Sequence, residues 1–478
     1  MKKILLFLIM AIVFFGCPDV SETPSMPDAD LAVEEPVDSV FYFKFSVVPN
    51  FIQPGNQAYV FLHDIDGELV KYSEIKNGEE YLWEIESNSP HHLTICNTGT
   101  YSNNSTYTNV KTRTSMPIDQ PLVVLGSHLE DKISAKRIGE VDIKVTNGPP
   151  LYSMHLSNGF GSFPLGSYNL KNTTSTGTFP KYEGPKEYLL VATDRAGVTK
   201  YKMIPDIESL NSYTFEYDQF EDFEYTIPID VSKYDIIDVS VKSINTSGTK
   251  LSNSFYSTFI FPVNPINFDS INLGYLSGFP YYKTSIYAYD GPGEPIVGYQ
   301  SFLKTPKAIK LPDPEPAELL DKTMRHFKFE KIGGTDFSHS LWYYKGKNKP
   351  ENSHISWTIV TDSNENPVLE FTSDITDQLP FLQDIEGFEL EQLIQFESSI
   401  SYTDYLKWEF VQNTTLPLDI ELHLYLSSYG KYANSRKIRP SLLDPLSFFE
   451  PLGIVENEFM HFKSPEGFLE EAKQKSND

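Results

Sequence analysis

The chain of 478 residues carries 65 acidic against 39 basic side chains, a formal charge of −26, and 14% of its residues are aromatic. That balance excludes nucleic acid as a partner, because a phosphate backbone needs a basic patch and an acidic body repels it. The length exceeds what one core organises, and with Cys17 set aside at the leader's end Cys96 has no disulfide partner, so stability must come from packed cores.

Lys2 and Lys3, the apolar run from Ile4 to Phe15, and Gly16 before Cys17 read as an export signal over residues 1–16. The run falls short of the roughly 20 apolar residues that cross a bilayer, so the segment is one to be removed. From Pro18 to Ser39 the chain is acidic, free of basic residues and broken by prolines. Residues 17–39 therefore form a tether with a root-mean-square reach of about 25 Å. Phe14-Phe15-Gly16-Cys17 resembles the lipobox of bacterial lipoproteins, with Phe15 where that family favours a smaller residue. The resemblance implies acylation of Cys17 and a lipid anchor in the outer membrane. With acids soon after the cysteine, it also implies cell-surface display of the kind Bacteroidota use. Two or more acyl chains suffice for stable anchoring, since each buried methylene contributes about 0.8 kcal/mol.

Strict alternation of apolar and polar residues, the mark of a half-buried strand, begins at Phe41 and recurs at Val141, Ile237 and, more briefly, Phe327. This spacing of roughly a hundred residues matches an immunoglobulin-like β-sandwich. It predicts modules over 40–138, 139–233, 234–311 and 322–440, with a proline-rich linker at 312–321. A C-terminal extension, 441–478, holds a stretch from Pro465 to Lys475 that reads as a short helix capped by Ser464. The expected fold is all-β: tandem β-sandwich modules with a short C-terminal helical segment.

Each module also contains an apolar strand, an aspartate-led turn and a second strand, at Asp64, Asp194, Asp290 and Asp362. In the first three a glycine follows by three residues, at Gly67, Gly197 and Gly293. The aspartate side chain bonds to turn amides, and glycine takes the positive-φ position that closes the hairpin. The arrangement is similar to the tandem immunoglobulin-like domains of exported bacterial lipoproteins, an architecture that many functions share.

Motifs for chemistry are sparse. No glycine-rich phosphate loop, dinucleotide fingerprint, HExxH pair or GxSxG elbow occurs, so no catalytic residue and no cofactor is assigned and the chain reads as non-enzymatic. Cys96 reads as a buried hydrophobe, Ser162 as a loop residue, and His91 and His92 as strand neighbours that point to opposite faces. Asp64, Asp66 and Glu68 set three carboxylates around one turn, a calcium candidate weighed against an ordinary solvated hairpin tip. Asp38-Ser39-Val40 and Asp269-Ser270-Ile271 resemble the O-glycosylation triplet of Bacteroidota.

Trp342-Tyr343-Tyr344 is the candidate ligand surface. Three successive aromatics in a strand cannot all face one core, so at least one must emerge on the other face, where a flat ring can stack on a sugar. Packing between sheets is the competing account of the same rings. The expected function is that of a membrane-anchored, non-catalytic binding or structural module, with glycan capture foremost. An adhesin or fibre subunit that meets another surface protein is the alternative, and a surface glycan-degrading enzyme ranks third.

Overall fold

The computed structural model describes residues 40–429 except 102–103, 119–122, 126–136, 159–160, 164–167, 171–172, 184–186, 206, 208–210, 235, 248–249, 264–269, 290–295, 314, 348 and 411–418. The leader, Cys17, the tether with Ser39, the Asp290 turn, Asp269 and the C-terminal extension with its expected helix lie outside the described residues. Within them the protein is all-β with sandwich-type packing, and two short α-helices, Ser373–Gln378 and Tyr402–Phe410, interrupt the strands.

The largest sheet has twelve strands, in the order Lys250–Val263, Ile236–Ser247, Tyr281–Tyr289, Ile296–Leu303, Ile420–Ser428, Phe388–Ser398, Phe337–Tyr344, Ser353–Thr361, Thr106–Met116, His91–Thr100, Gln57–His63 and Leu69–Glu74. Its strands come from three of the four expected stretches, 40–138, 234–311 and 322–440, so hydrogen bonding runs across those borders. The described residues from Phe41 to Tyr429 pack as one unit. Neighbours in the sheet are antiparallel apart from one parallel pair, Ser353–Thr361 beside Thr106–Met116, which joins an early strand to a late one.

Side-chain alternation gives this sheet two different faces. On one, Phe61, Cys96, Val110, Trp342, Tyr344, Trp357 and Phe388 form a core roofed by Phe327, Phe329 and the segment from Leu369 to Leu382. Both indoles are buried with their N–H groups satisfied: Trp342 Nε1 donates to Ser340 Oγ at 2.9 Å and Trp357 Nε1 to Thr112 Oγ1 at 2.9 Å. On the opposite face, Val60, Leu62, Leu93, Phe337, Ile394, Phe396, Leu422 and Leu424 pack under the helix Tyr402–Phe410 and under Phe43 and Phe45 of a separate three-stranded sheet. In that sheet Phe41–Val47 pairs antiparallel with Glu80–Ile85 and parallel with Val123–Leu125.

The stretch 139–233 builds two further sheets of five and four strands. Their inward residues, Val141, Ile143, Met154, Leu156, Phe179, Tyr188 and Leu190 among them, close a shared core. Two of the expected aspartate hairpins, at Asp64 and Asp194, form as their chemistry requires, whereas after Asp362 the chain pairs no second strand at Val368 and Leu369 among the described residues. Asp64 Oδ1 accepts the amides of Asp66 at 3.0 Å and Glu68 at 2.9 Å, and Asp194 Oδ1 accepts those of Ala196 at 2.8 Å and Val198 at 2.9 Å. Gly67 at φ +91° and Gly197 at φ +81° close the turns. The first tip is docked rather than free: the Glu370 amide donates to Gly67 O at 2.9 Å, and a Cβ on Gly67 would collide with the Val368 carbonyl.

Beside that tip His63 faces His92 across the strand pair. His63 Nε2–H donates to the Glu370 carbonyl at 3.0 Å, and His92 Nδ1 accepts the Ser115 amide at 3.2 Å. Burial lowers His63 to a pKa of about 4, far more than the Glu370 bond raises it. The unfolded chain takes up this proton near pH 6.5 and the folded chain only near 4. Stability is thus full above about 6.5 and falls by about 3 kcal/mol as the pH drops toward 4. Urea midpoints measured across this window will show the decline, and His63→Gln will make it shallower; equal slopes in the two proteins would refute the assignment.

Candidate functional site

Alternation divides the three candidate aromatics. Trp342 and Tyr344 lie in the roofed core at 0% and 1% exposure, so neither presents a ring to a ligand. Tyr344 is tied there by its hydroxyl, which donates to Asp384 Oδ2 at 2.8 Å. Tyr343 projects from the opposite face, half-buried, with the Lys345 ammonium 5.6 Å from its ring centroid. The surface expected from three rings therefore narrows to Tyr343.

Strand register shows what stands beside it. Residues paired across neighbouring strands share a face, so Asn97, Asn109, Ser356, Tyr343 and Glu389 form one row across five strands. Four interstrand gaps of about 4.8 Å give that row a span of roughly 19 Å. A second row, one pleat further along, runs Ile95, Lys111, Thr358, Leu341 and Gln392. On the other side Tyr107 pairs with His354, and the Tyr101 ring is tilted against that of Tyr107 with centroids 4.8 Å apart.

Several groups in these rows are held in place by neighbours. Ser356 Oγ donates to Asn109 Oδ1 at 2.9 Å, which turns the Asn109 amide nitrogen outward from that bond. Asn56 Nδ2 donates to the Tyr107 hydroxyl at 2.7 Å, and its close approach requires Gly99, where any Cβ would strike the Asn56 side chain. Asn97 Oδ1 and Gln392 Oε1 are buried acceptors with no hydrogen-bond partner among the described residues. A buried carbonyl oxygen left without a donor costs about 1–3 kcal/mol, so both mark where a donor belongs.

Deeper on the same face lies an ionised cluster. Arg113 grips Glu409 of the helix Tyr402–Phe410 with Nε to Oε2 at 2.7 Å and Nη2 to Oε1 at 2.5 Å, and both side chains are under 10% exposed. Burial opposes the Arg113 charge and Glu409 more than restores it, raising its pKa. His339 is driven well below its ordinary value by burial and then by the charges of Arg113 and Lys111, so it is neutral. Burial also pushes the Tyr405 hydroxyl well up, with Glu409 adding to the shift. Lys111 differs from all of these. Its side chain is exposed, yet burial among the surrounding protein lowers its pKa, Arg113 adds to that, and Glu409 opposes it. Lys111 lies on the strand face that carries Asn109 and Arg113, two residues from each.

Asp64, Asp66 and Glu68 remain at their hairpin tip, where the Asp64 carboxylate is occupied by turn amides; among the described residues no group of three metal-ligating side chains converges. Cys96 is buried, and desolvation raises its thiol to about 12, which keeps it protonated and inert. His91 and His92 are both buried and spend ring nitrogens on backbone groups, His91 Nδ1 lying 2.7 Å from the Ser89 carbonyl.

The polar rows were missed by sequence reasoning, although one signal was present. In Thr106–Met116 the residues Tyr107, Asn109, Lys111 and Arg113 recur at period two, a polar face where a core strand would place aliphatics. No protein-family model matches this chain, and no curated protein matches it in sequence.

The division of the three aromatics has a direct test. Trp342→Ala removes a fully buried indole and should cost about 3–5 kcal/mol. Tyr343→Ala should cost about 1 kcal/mol or less, as surface substitutions do. Urea unfolding of both variants decides it; equal losses would place Tyr343 in the core.

Proposed function

We propose that this chain is a lipid-anchored surface protein that captures a glycan on the face bearing Tyr343, by binding and without catalysis. The observation that carries the reading is the row Asn97, Asn109, Ser356, Tyr343 and Glu389, flanked by Tyr107, His354 and Lys111. Amides, a hydroxyl and a carboxylate around a half-buried ring suit a polyhydroxylated ligand. The polar groups meet sugar hydroxyls with donors and acceptors, and the ring covers an apolar sugar face. The lipobox resemblance at Cys17 supports anchoring, and the acidic tether supports a reach away from the membrane.

One observation favours the adhesive reading instead. Glu80–Ile85 is an edge strand of its three-stranded sheet, and it exposes Leu82 at 63% beside Tyr42 at 51%. Glu80 and Glu84 flank Leu82, however, and charges placed so on an edge work against strand addition.

Glycan-array binding of the full chain in detergent, with Tyr343→Ala alongside, tests the capture reading. Selective binding that the variant loses supports it; silence, or binding that the variant keeps, overturns it. The anchor is tested separately by detergent-phase partitioning. Cys17→Ala should move the protein to the aqueous phase, and unchanged partitioning would reject acylation at this residue.

A further inference from the structure

Resting on that reading, we propose that the captured glycan is acidic and that Lys111 receives its carboxylate or sulfate group. The argument begins with local charge. Arg113 and Glu409 neutralise each other in a bidentate pair, and His339 is buried beside them without charge. On the helix above, Asp404 is exposed and accepts the Ser401 hydroxyl at 2.8 Å, and Lys407 is half-buried. Among the described residues Lys111 has neither an ion pair nor a hydrogen-bond partner, and the charges acting on it are Arg113, which repels it, and Glu409, which Arg113 already holds. Lys111 is therefore an unpaired positive charge on this face, in a chain whose formal charge is −26.

An ammonium held where solvent is restricted is stabilised by an anion far more than one on an open surface, since the attraction is screened less. The acidic body's long-range repulsion of a short anionic ligand fades within about 8 Å at physiological ionic strength, whereas a direct contact with the Lys111 ammonium persists. Geometry then selects the class of ligand. Asn109 precedes Lys111 by two residues on the same strand face, and Ser356 and Tyr343 continue from Asn109 across the next two strands. A sugar ring held against Tyr343 and Asn109 can place its acidic substituent toward Lys111. A uronic acid and a sulfated sugar share that chemistry. A simple inorganic anion would use Lys111 and leave the row unoccupied.

The test compares uronate-bearing, sulfated and neutral oligosaccharides on one array, using full-length protein in detergent with Lys111→Met, Lys111→Arg and Tyr343→Ala. Binding should be confined to the acidic members, fall about ten- to a hundredfold in Lys111→Met, and be partly restored in Lys111→Arg. The uronate and sulfate arms identify the group. Lys111→Met removes an unpaired charge, so its thermal midpoint should not fall, and a lost signal cannot then be charged to misfolding. Binding confined to neutral members and lost in Tyr343→Ala would overturn the acidic assignment and leave glycan capture standing. Acidic binding that survives in Lys111→Met would overturn the role of Lys111. Silence across the array would overturn both readings.

Discussion

Everything on the central sheet depends on the parallel pairing of Ser353–Thr361 with Thr106–Met116. It is the seam that joins the first hundred residues of the body to strands some 250 residues later. The entropy of closing so long a loop grows only as the logarithm of its length, so a single extended interface can offset it. The interface is reinforced on both faces. On the roofed side Trp357 Nε1 donates to Thr112 Oγ1, which lies 2.8 Å from Thr94 Oγ1, so three strands share one buried polar chain. On the other side Tyr402 holds its hydroxyl within 3.0 Å of the Thr114 carbonyl and 2.9 Å of the Val360 carbonyl, one from each strand of the seam. The same register sets Asn109 beside Ser356 and Lys111 beside Thr358, so the candidate site is a product of the seam.

The Arg113–Glu409 pair is best understood as an orienting device. Its Coulomb gain is largely offset by the desolvation of two ions, and an apolar pair of equal volume would hold the helix about as well. Its fork geometry, by contrast, admits one placement of the helix Tyr402–Phe410 over the sheet. That placement roofs the apolar end of the face, at Phe337 and Phe396, and the sheet beyond it carries the polar rows. It also spends Glu409 on Arg113, which is why Lys111 keeps its charge uncompensated.

Much of the local structure was legible in the sequence and little of the assembly was. Alternation from Phe41 and from Val141 marks real strands, Phe41–Val47 and the end of Arg137–Thr146. The Asp64 and Asp194 turns follow from side-chain chemistry that reaches only four residues. The argument that Trp342, Tyr343 and Tyr344 cannot share a face is equally local and identifies that one ring must emerge. What alternation does not contain is the identity of a strand's partner, because period two specifies a face and is indifferent to which strand lies alongside. The weaker pattern at Phe327 yields only the short strand Lys328–Phe329, since Phe327 and Phe329 serve as a roof over Trp342 rather than as part of the large sheet. The candidate site was hidden for the same reason: Asn97, Asn109, Ser356, Tyr343 and Glu389 come from five strands, and only the pairing brings them into line.

A site built on the middle of a sheet differs in energetics from one built on loops. Asn97, Asn109, Ser356 and Tyr343 have a paired strand on both sides, and Ser356 and Asn56 further restrain the side chains of Asn109 and Tyr107. Little conformational entropy is left to lose on binding, so contacts that are individually small can add to useful affinity. The cost is adaptability, because a pleated row offers polar groups at intervals of about 4.8 Å across strands and about 6.8 Å along them. A ligand must match that lattice. Repeating chains of sugar rings, with hydroxyls at regular intervals and an apolar face to each ring, meet the requirement better than a peptide, whose own backbone would compete for a sheet edge rather than lie on its face. Selectivity among such chains must then come from the features that break the lattice, which here are the Tyr343 ring and the opposite charges of Lys111 and Glu389.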